Sequence, residues 1–76
     1  MTKVIGMVVV EEYFGAKAGI VWQSLNEFGA LTIAQLKRKT KLTDSEVYAG
    51  LGWLGREGKV EIQGEVPLLY KYKLRQ

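Results

Sequence analysis

Apolar and polar positions divide the chain into a short apolar run, three helical patterns and two alternating patterns. The apolar run covers residues 4–10, VIGMVVV, and is rich in β-branched side chains. Such residues favour a strand, but an apolar run this short also fits a helix start held by tertiary contacts. Both interpretations of residues 4–10 therefore stay open.

The longest helical pattern covers about residues 13–28, where apolar side chains recur at spacings of three and four. The predicted inward stripe consists of Ala18, Val21, Trp22, Leu25 and Phe28. Most of the polar residues, Lys17, Gln23, Ser24 and Glu27, fall off this stripe. Gly29 is placed to cap the C-terminus of this helix.

Two capping boxes predict the starts of two further helices. Thr32 is followed three residues later by Gln35, and Thr43 by Glu46, so that side chains and backbone N–H groups satisfy each other. The predicted helices cover about residues 33–40 and 44–57, and Gly58 ends the second. Their predicted inward residues are Ile33, Ala34 and Leu36 in the first, and Val47, Gly50, Leu51 and Leu54 in the second.

The alternating patterns predict two strands that form a hairpin around a turn at residues 64–67. The first, residues 59–63, has Val60 and Ile62 on one face. The second, residues 69–75, alternates Tyr70, Tyr72 and Leu74 with Lys71, Lys73 and Arg75. The link Ala30–Thr32 is expected to add a short third strand beside this hairpin.

This order of elements predicts an α+β fold, a winged helix-turn-helix with a three-helix core and a C-terminal β-hairpin wing. Two helices joined by the brief link Lys41–Leu42 are typical of a helix-turn-helix. The hairpin that follows the second of them is the expected wing. We expect residues 13–76 to form this domain and residues 1–12 to form a separate apolar segment.

Residues 20–62 resemble a family of short bacterial and archaeal winged helix-turn-helix proteins of unknown function. The resemblance rests on Trp22, on the box from Leu31 to Leu36 and on the stretch LGWLGREGKV at residues 51–60. That stretch is also similar to the end of the recognition helix in many winged-helix transcription factors. The resemblance implies the fold, and it implies a function only in general terms, since one fold serves many functions.

Composition excludes several kinds of chemistry. The 76 residues include no cysteine and no histidine, which excludes disulfides, His or Cys metal sites and nucleophilic triads. Without a phosphate-binding glycine loop either, we expect no enzyme, no metal and no cofactor. No segment has the length of a membrane span or the pattern of an export signal, so the expected location is the cytoplasm and no membrane partner is expected.

The fold favours a DNA-associated, transcription-related binding module, and the net charge of +3 is a mild excess that is compatible with nucleic acid but not diagnostic of it. The candidate contacts with double-stranded DNA are Lys37, Arg38, Lys39, Lys41, Ser45, Tyr48, Arg56, Lys71 and Lys73. The lysines and arginines suit phosphate contacts. Two features oppose this prediction: Asp44 and Glu46 at the start of the recognition helix would repel phosphate, and the turn of the wing carries no base.

The alternative is a protein-interaction or dimerisation module that keeps the fold but does not read DNA. Tyr48 is the aromatic residue expected to face solvent or a partner, whereas Trp22 is expected in the core. Trp53 lies one position off its apolar stripe, so we expect it to be either half exposed or packed on the sheet. The apolar run leaves no polar face, so we expect a homodimer that buries it. The expected dimer contacts are Val4, Ile5, Val8 and Val10.

Overall fold

The computed structural model describes residues 4–5 and 8–75, with side chains from residue 10 onward. The helices are α1 (Val10–Phe28), α2 (Ile33–Thr40) and α3 (Asp44–Arg56), and the strands are β1 (Val4–Ile5), β2 (Val8–Val9), β3 (Val60–Gln63) and β4 (Lys71–Leu74). Strands β1 and β2 pair antiparallel before α1, and β3 and β4 form the wing after α3. This arrangement confirms the predicted winged helix-turn-helix.

The described residues of the apolar run, residues 4–10, include both of the structures that its sequence allows, a strand and the start of a helix. The backbone of β1 and β2 forms a small hairpin in which Val4 lies opposite Val9. Helix α1 then begins at Val10, three residues before the predicted start at Tyr13. The run is therefore strand for most of its described length and helix at its last residue.

The core lies where the three helices meet β4. It consists of Ala18, Val21, Leu25, Leu31, Leu36, Val47, Leu51, Leu54 and Tyr72. Every predicted inward residue of α3 is buried, including Gly50. In α2 Leu36 is buried and Ile33 packs against the core, but Ala34 is exposed.

The predicted stripe of α1 is wrong at its edges. Trp22 and Phe28 are 39% and 47% exposed, whereas Ser24, expected off the stripe, is buried. The buried face is centred on Val21 and Leu25, and Ser24 lies on it because successive helical residues are 100° apart. Gly29 caps this helix as predicted, with φ +82° and its N–H donating to the Leu25 carbonyl.

The wing is shorter in its strands and longer in its loop than the sequence predicts. Strand β4 begins at Lys71, because Pro67–Leu69 form a turn of 3₁₀ helix. Val60 packs against the core, whereas Ile62, on the same face of the strand, is 56% exposed. The predicted third strand is confirmed as a bridge in which Leu31 and Tyr72 exchange two backbone hydrogen bonds.

Candidate nucleic-acid interface

The turn between α2 and α3 sets the position of the recognition helix. The Thr40 hydroxyl donates to the Leu36 carbonyl at 2.7 Å and accepts from the Leu42 N–H. Lys41 adopts a left-handed conformation with φ +65°, the usual way to end a helix, although glycine is the commoner residue there. The chain therefore leaves α2 and enters α3 within three residues, and the side chain of Lys41 lies exposed at the turn.

Both capping boxes are formed, which confirms those predictions. The Thr43 side chain accepts from the Glu46 N–H, and the Glu46 carboxylate accepts from the Thr43 N–H at 2.9 Å. The same carboxylate lies 3.0 Å from the Lys17 ammonium of α1. Glu46 therefore caps α3 and also ties it to α1.

Asp44 is also paired, with Lys37 at the exposed side of α2. Together with the pair between Glu46 and Lys17, this neutralises both acids at the N-terminus of α3. The predicted repulsion of phosphate by these acids is therefore weaker than their sequence position indicates. Sequence reasoning missed the pair of Glu46 with Lys17 because the whole of α2 lies between these two residues along the chain.

The pKa of the Glu46 carboxyl lies below its ordinary value of 4.5, first because the Thr43 N–H donates to it and then because of the Lys17 ammonium. A lowered pKa in the folded state stabilises the fold above pH 4.5, and this stabilisation is lost as pH falls through the lowered pKa. Glu46→Gln keeps a capping oxygen but loses the charge. We therefore expect this substitution to destabilise the protein at neutral pH. At acidic pH, the free energy of unfolding of the variant should differ less from that of the parent.

Urea unfolding of parent and variant at neutral pH and below the lowered pKa measures this difference. The matched control is Glu65→Gln, which removes a carboxylate from the wing loop without affecting a cap. A stability difference between parent and Glu46→Gln that is the same at both pH values would contradict the expected role.

The basic residues at the end of α2 do not form one cluster. Lys37 points to Asp44 of α3, whereas the Lys39 ammonium lies 4.2 Å from the centre of the Phe28 ring of α1. Residues two apart on a helix point in nearly opposite directions. Arg38 and Lys41 are exposed and pair with no acid among the described residues.

The basic residues of β4 lie on the face of the wing that points away from the core. Lys73 is opposite Glu61 and its ammonium is 4.0 Å from that carboxylate. Lys71 is exposed opposite Gln63. The intervening Tyr72 is buried, so these lysines lie on the face of β4 opposite to it.

Tyr48 lies in a groove between the recognition helix and the wing, which we call the wing groove. The groove is lined by Ile33, Ala34, Lys37, Asp44, Tyr48, Pro67 and Leu68. Tyr48 is 55% exposed, the most exposed aromatic residue, as predicted. Burial raises the pKa of the Tyr72 hydroxyl, and Tyr48 and Tyr70 raise it further.

The tip of the wing is apolar. Leu68 and Leu69 are 91% and 68% exposed, and Val66 is also largely exposed. The only charged residue between Gly64 and Tyr70 is Glu65. Wings that enter the minor groove contact it with arginine or lysine, so this tip does not supply such contacts.

A second cleft lies on the other side of the recognition helix, against the start of α1. It has a volume of about 340 Å³ and is lined by Val10, Phe14, Ala49, Gly52, Trp53 and Arg56. The rings of Phe14 and Trp53 are parallel, with centres 6.1 Å apart. We call this depression the α1–α3 cleft; Arg56 is its one charged lining residue.

The exposed side of α3 therefore brings together some candidate DNA contacts and separates others. Ser45 and Arg56 are exposed on this helix together with Tyr48. Tyr48 faces the wing groove, whereas Ala49 and Gly52 face the α1–α3 cleft. The lysines of β4 lie elsewhere, and Lys73 lines a third cleft beside the C-terminus of α1.

Within residues 4–5 and 8–75, no group of three potential ligands could hold a metal ion. No helix among the described elements has the length and hydropathy needed to cross a membrane. Winged helix-turn-helix domains are typically non-catalytic.

Comparisons with known proteins agree with this architecture. A family model described as a winged helix-turn-helix domain (DUF2582) matches residues 7–73. The solution NMR structure of protein BT2368 from Bacteroides thetaiotaomicron is similar at 35% sequence identity with a TM-score of 0.77, over 87% of this chain and 79% of that one. No curated protein matches the chain. The chain therefore belongs to the DUF2582 family of winged helix-turn-helix domains, a fold that in general serves as a DNA-binding module.

Proposed function

We propose that this protein is a non-enzymatic, cytoplasmic, DNA-associated module with a role in transcription, which holds double-stranded DNA mainly through phosphate contacts. The observation that carries the proposal is at the helix-turn-helix. Both acids at the start of α3 are ion-paired, while Arg38 in the last turn of α2 and Lys41 in the turn that follows are exposed and pair with no described acid. The turn and the helix N-terminus therefore carry a net positive charge, which attracts phosphate.

The proposed contacts divide into two groups. Arg38 and Lys41 would contact phosphate directly. Lys37 and Lys39 would add positive charge nearby. Lys71 and Lys73 would contact phosphate only if the DNA extends past the wing. Ser45, Tyr48 and Arg56 are the side chains that α3 offers to a groove. Arg56 alone among these three has a side chain suited to bidentate recognition of guanine, so we expect little sequence discrimination.

A titration with random duplex DNA at several salt concentrations tests this proposal. We expect Arg38→Gln combined with Lys41→Gln to weaken binding to all sequences and to flatten the dependence of log K on log salt by roughly two units, about 0.9 per lost phosphate contact. Lys37 and Lys39 are left unchanged because they contact Asp44 and Phe28.

The charge-matched control is Lys59→Gln combined with Arg75→Gln. These two residues line a cleft beside Trp22, away from the helix-turn-helix. The control should keep the slope of the parent. Absence of binding by the parent at low salt, or an equal change of slope in the control, would reject the proposal.

A second candidate function is that of a dimerisation module that keeps the fold without contacting DNA. It is favoured by the apolar surfaces on both sides of α3, the wing groove and the α1–α3 cleft. In this candidate residues 1–12, of which the last three open α1, supply the contact between two copies through Val4, Ile5, Val8 and Val10. A chain that self-associates but binds no duplex DNA at low salt would favour it.

A further inference from the structure

Trp22 of α1 lies where two clefts of the surface meet. The first cleft lies between α1 and the end of α3 and has a volume of about 350 Å³. The second lies at the base of the wing and has a volume of about 660 Å³. Both are lined by Trp22 and Lys59, and we call the two together the Trp22 cleft. Small-molecule sites typically have volumes of about 300–1,000 Å³, so the Trp22 cleft has the size of a ligand site.

The indole of Trp22 offers the cleft a flat apolar surface. The sequence predicts this side chain in the core, but it is 39% exposed and lines both parts of the cleft. Planar heterocycles stack on exposed aromatic side chains, and one such stack typically changes affinity by roughly 5- to 150-fold. A ligand with a planar ring can therefore use this surface.

Two glycines leave room beside the indole. Gly15 and Gly19 lie one and two helical turns before Trp22 on the same side of α1, and both line the cleft. A Cβ atom added at either glycine would meet nothing within 4 Å. Glycine is less favourable than alanine inside a helix, and packing against the described chain does not require it here. The bare backbone lets a flat ring lie close to α1.

Two cations lie side by side at the base of the wing. The Arg75 N–H donates to the Lys59 carbonyl at 2.8 Å, one step beyond the pair of Val60 with Leu74. Lys59 and Arg75 therefore lie directly opposite each other, and side chains at such positions share one face of an antiparallel ladder. Like charges placed opposite each other destabilise a sheet. An anion bound between these two side chains would relieve their repulsion.

One acid is present in the lining and compensates these cations only in part. The Glu57 carboxylate lies 3.5 Å from the Lys59 ammonium, whereas Arg75 pairs with no acid among the described residues. The three charged lining residues therefore sum to one positive charge. A phosphate monoester carries about −1.5 to −2 charges and three acceptor oxygens at neutral pH. It suits two adjacent cations better than a carboxylate with a single charge does.

We propose that the Trp22 cleft binds a nucleoside monophosphate, whose base stacks on Trp22 along the glycine wall and whose phosphate lies between Lys59 and Arg75. This site is independent of the proposed DNA association, because Arg38 and Lys41 lie outside the cleft. The bases of a duplex are stacked inside the double helix, so double-stranded DNA does not supply the ring that the site takes.

Titration of the full ¹⁵N-labelled chain with AMP tests the site by NMR. We expect a saturable shift of the Trp22 indole N–H resonance, which is distinguished from that of Trp53 with Trp53→Phe. Adenosine carries the ring alone and inorganic phosphate carries the charge alone. Each should bind at least about tenfold more weakly than AMP, since each loses one of the two contacts.

Charge variants test the phosphate contacts. Lys59→Gln combined with Arg75→Gln should weaken AMP by roughly tenfold to a hundredfold and leave adenosine unchanged, because only AMP has a phosphate. Both residues are exposed, so the fold does not depend on them. Glu57→Gln should strengthen AMP binding by about 1.5- to 5-fold, since the competing ion pair of Lys59 is lost.

A steric variant tests the place of the base. Gly19→Leu puts a side chain into the cleft and should weaken AMP and adenosine alike, by about tenfold or more. The matched control is Gly52→Leu, at an exposed helical glycine that is equally open and lies outside the Trp22 cleft. The control should bind AMP as the parent does.

Four results would overturn the proposal. The first is the absence of a saturable shift up to about 10 mM AMP. The second is equal affinity for AMP and inorganic phosphate, which would mean that the ring adds nothing. The third is an AMP affinity that the double charge variant does not change. The fourth is a loss of AMP binding in Arg38→Gln combined with Lys41→Gln, which would place AMP at the helix-turn-helix. A parent that binds AMP but no duplex DNA would reject the DNA association and support the nucleotide site.

Discussion

Replacing Leu36 by alanine is expected to lower the free energy of unfolding by about 2–5 kcal/mol, the range for a buried leucine whose removal leaves a cavity. Leu36 is fully buried and is the only buried residue of α2. A helix of eight residues has no stability of its own in water and depends on tertiary packing. The substitution therefore weakens both the core and the first half of the helix-turn-helix.

Urea unfolding followed by far-UV circular dichroism measures this loss. The matched control is Leu68→Ala in the wing, where the same atoms are removed from a side chain that is 91% exposed. We expect the control to change stability by less than about 0.5 kcal/mol. Similar losses in the two variants would contradict the position of Leu36 in the core.

The features predicted correctly from the sequence are those with a local signal. Each capping box is set by two residues three apart, so the starts of α2 and α3 could be placed at Ile33 and Asp44. The buried face of α3 follows from one helical period and needs no knowledge of the neighbouring elements. The bridge at Leu31 was expected from the order of elements in this fold.

The wrong predictions concern residues whose burial or conformation depends on elements that are distant along the chain. Hydrophobicity placed Trp22 on the inward face of α1 and Ser24 outside it, and the structure reverses this. A pattern of polarity cannot show which side of an apolar stripe the other helices cover. In the wing, the alternating pattern predicts a strand from Leu69, but the 3₁₀ turn that starts at Pro67 delays the strand to Lys71.

The candidate site was predictable only as a set of residue types. The run from Lys37 to Lys41 reads as a single basic cluster along the sequence, yet the helical rotation sends Lys37 toward Asp44 and Lys39 toward Phe28. The pairing of Glu46 with Lys17 joins residues 29 positions apart, and no local pattern contains it. The α1–α3 cleft likewise depends on how two helices pack, which the sequence alone does not determine.

Two glycines of α3 provide a test of that packing, since they lie two residues apart and differ only in what surrounds them. A Cβ at Gly50 would lie 2.8 Å from the backbone oxygen of Lys17 and 2.9 Å from a methyl carbon of Val21. A Cβ at Gly52 would meet nothing within 4 Å. Alanine at either position raises helix propensity by about 1 kcal/mol relative to glycine, so any difference between them reports the contact with α1.

We therefore expect Gly52→Ala to stabilise the protein by about 0.5–1 kcal/mol and Gly50→Ala to destabilise it. The clash at Gly50 involves a backbone carbonyl, which cannot rotate away, so α1 and α3 must separate across the core. Overpacking of this kind typically costs about 1–3 kcal/mol, and the separation also strains the ion pair that Lys17 makes with Glu46. Urea unfolding of the two variants side by side measures the difference. Equal stabilisation by both substitutions would mean that α1 and α3 are not held together as closely at Gly50 as the structure shows.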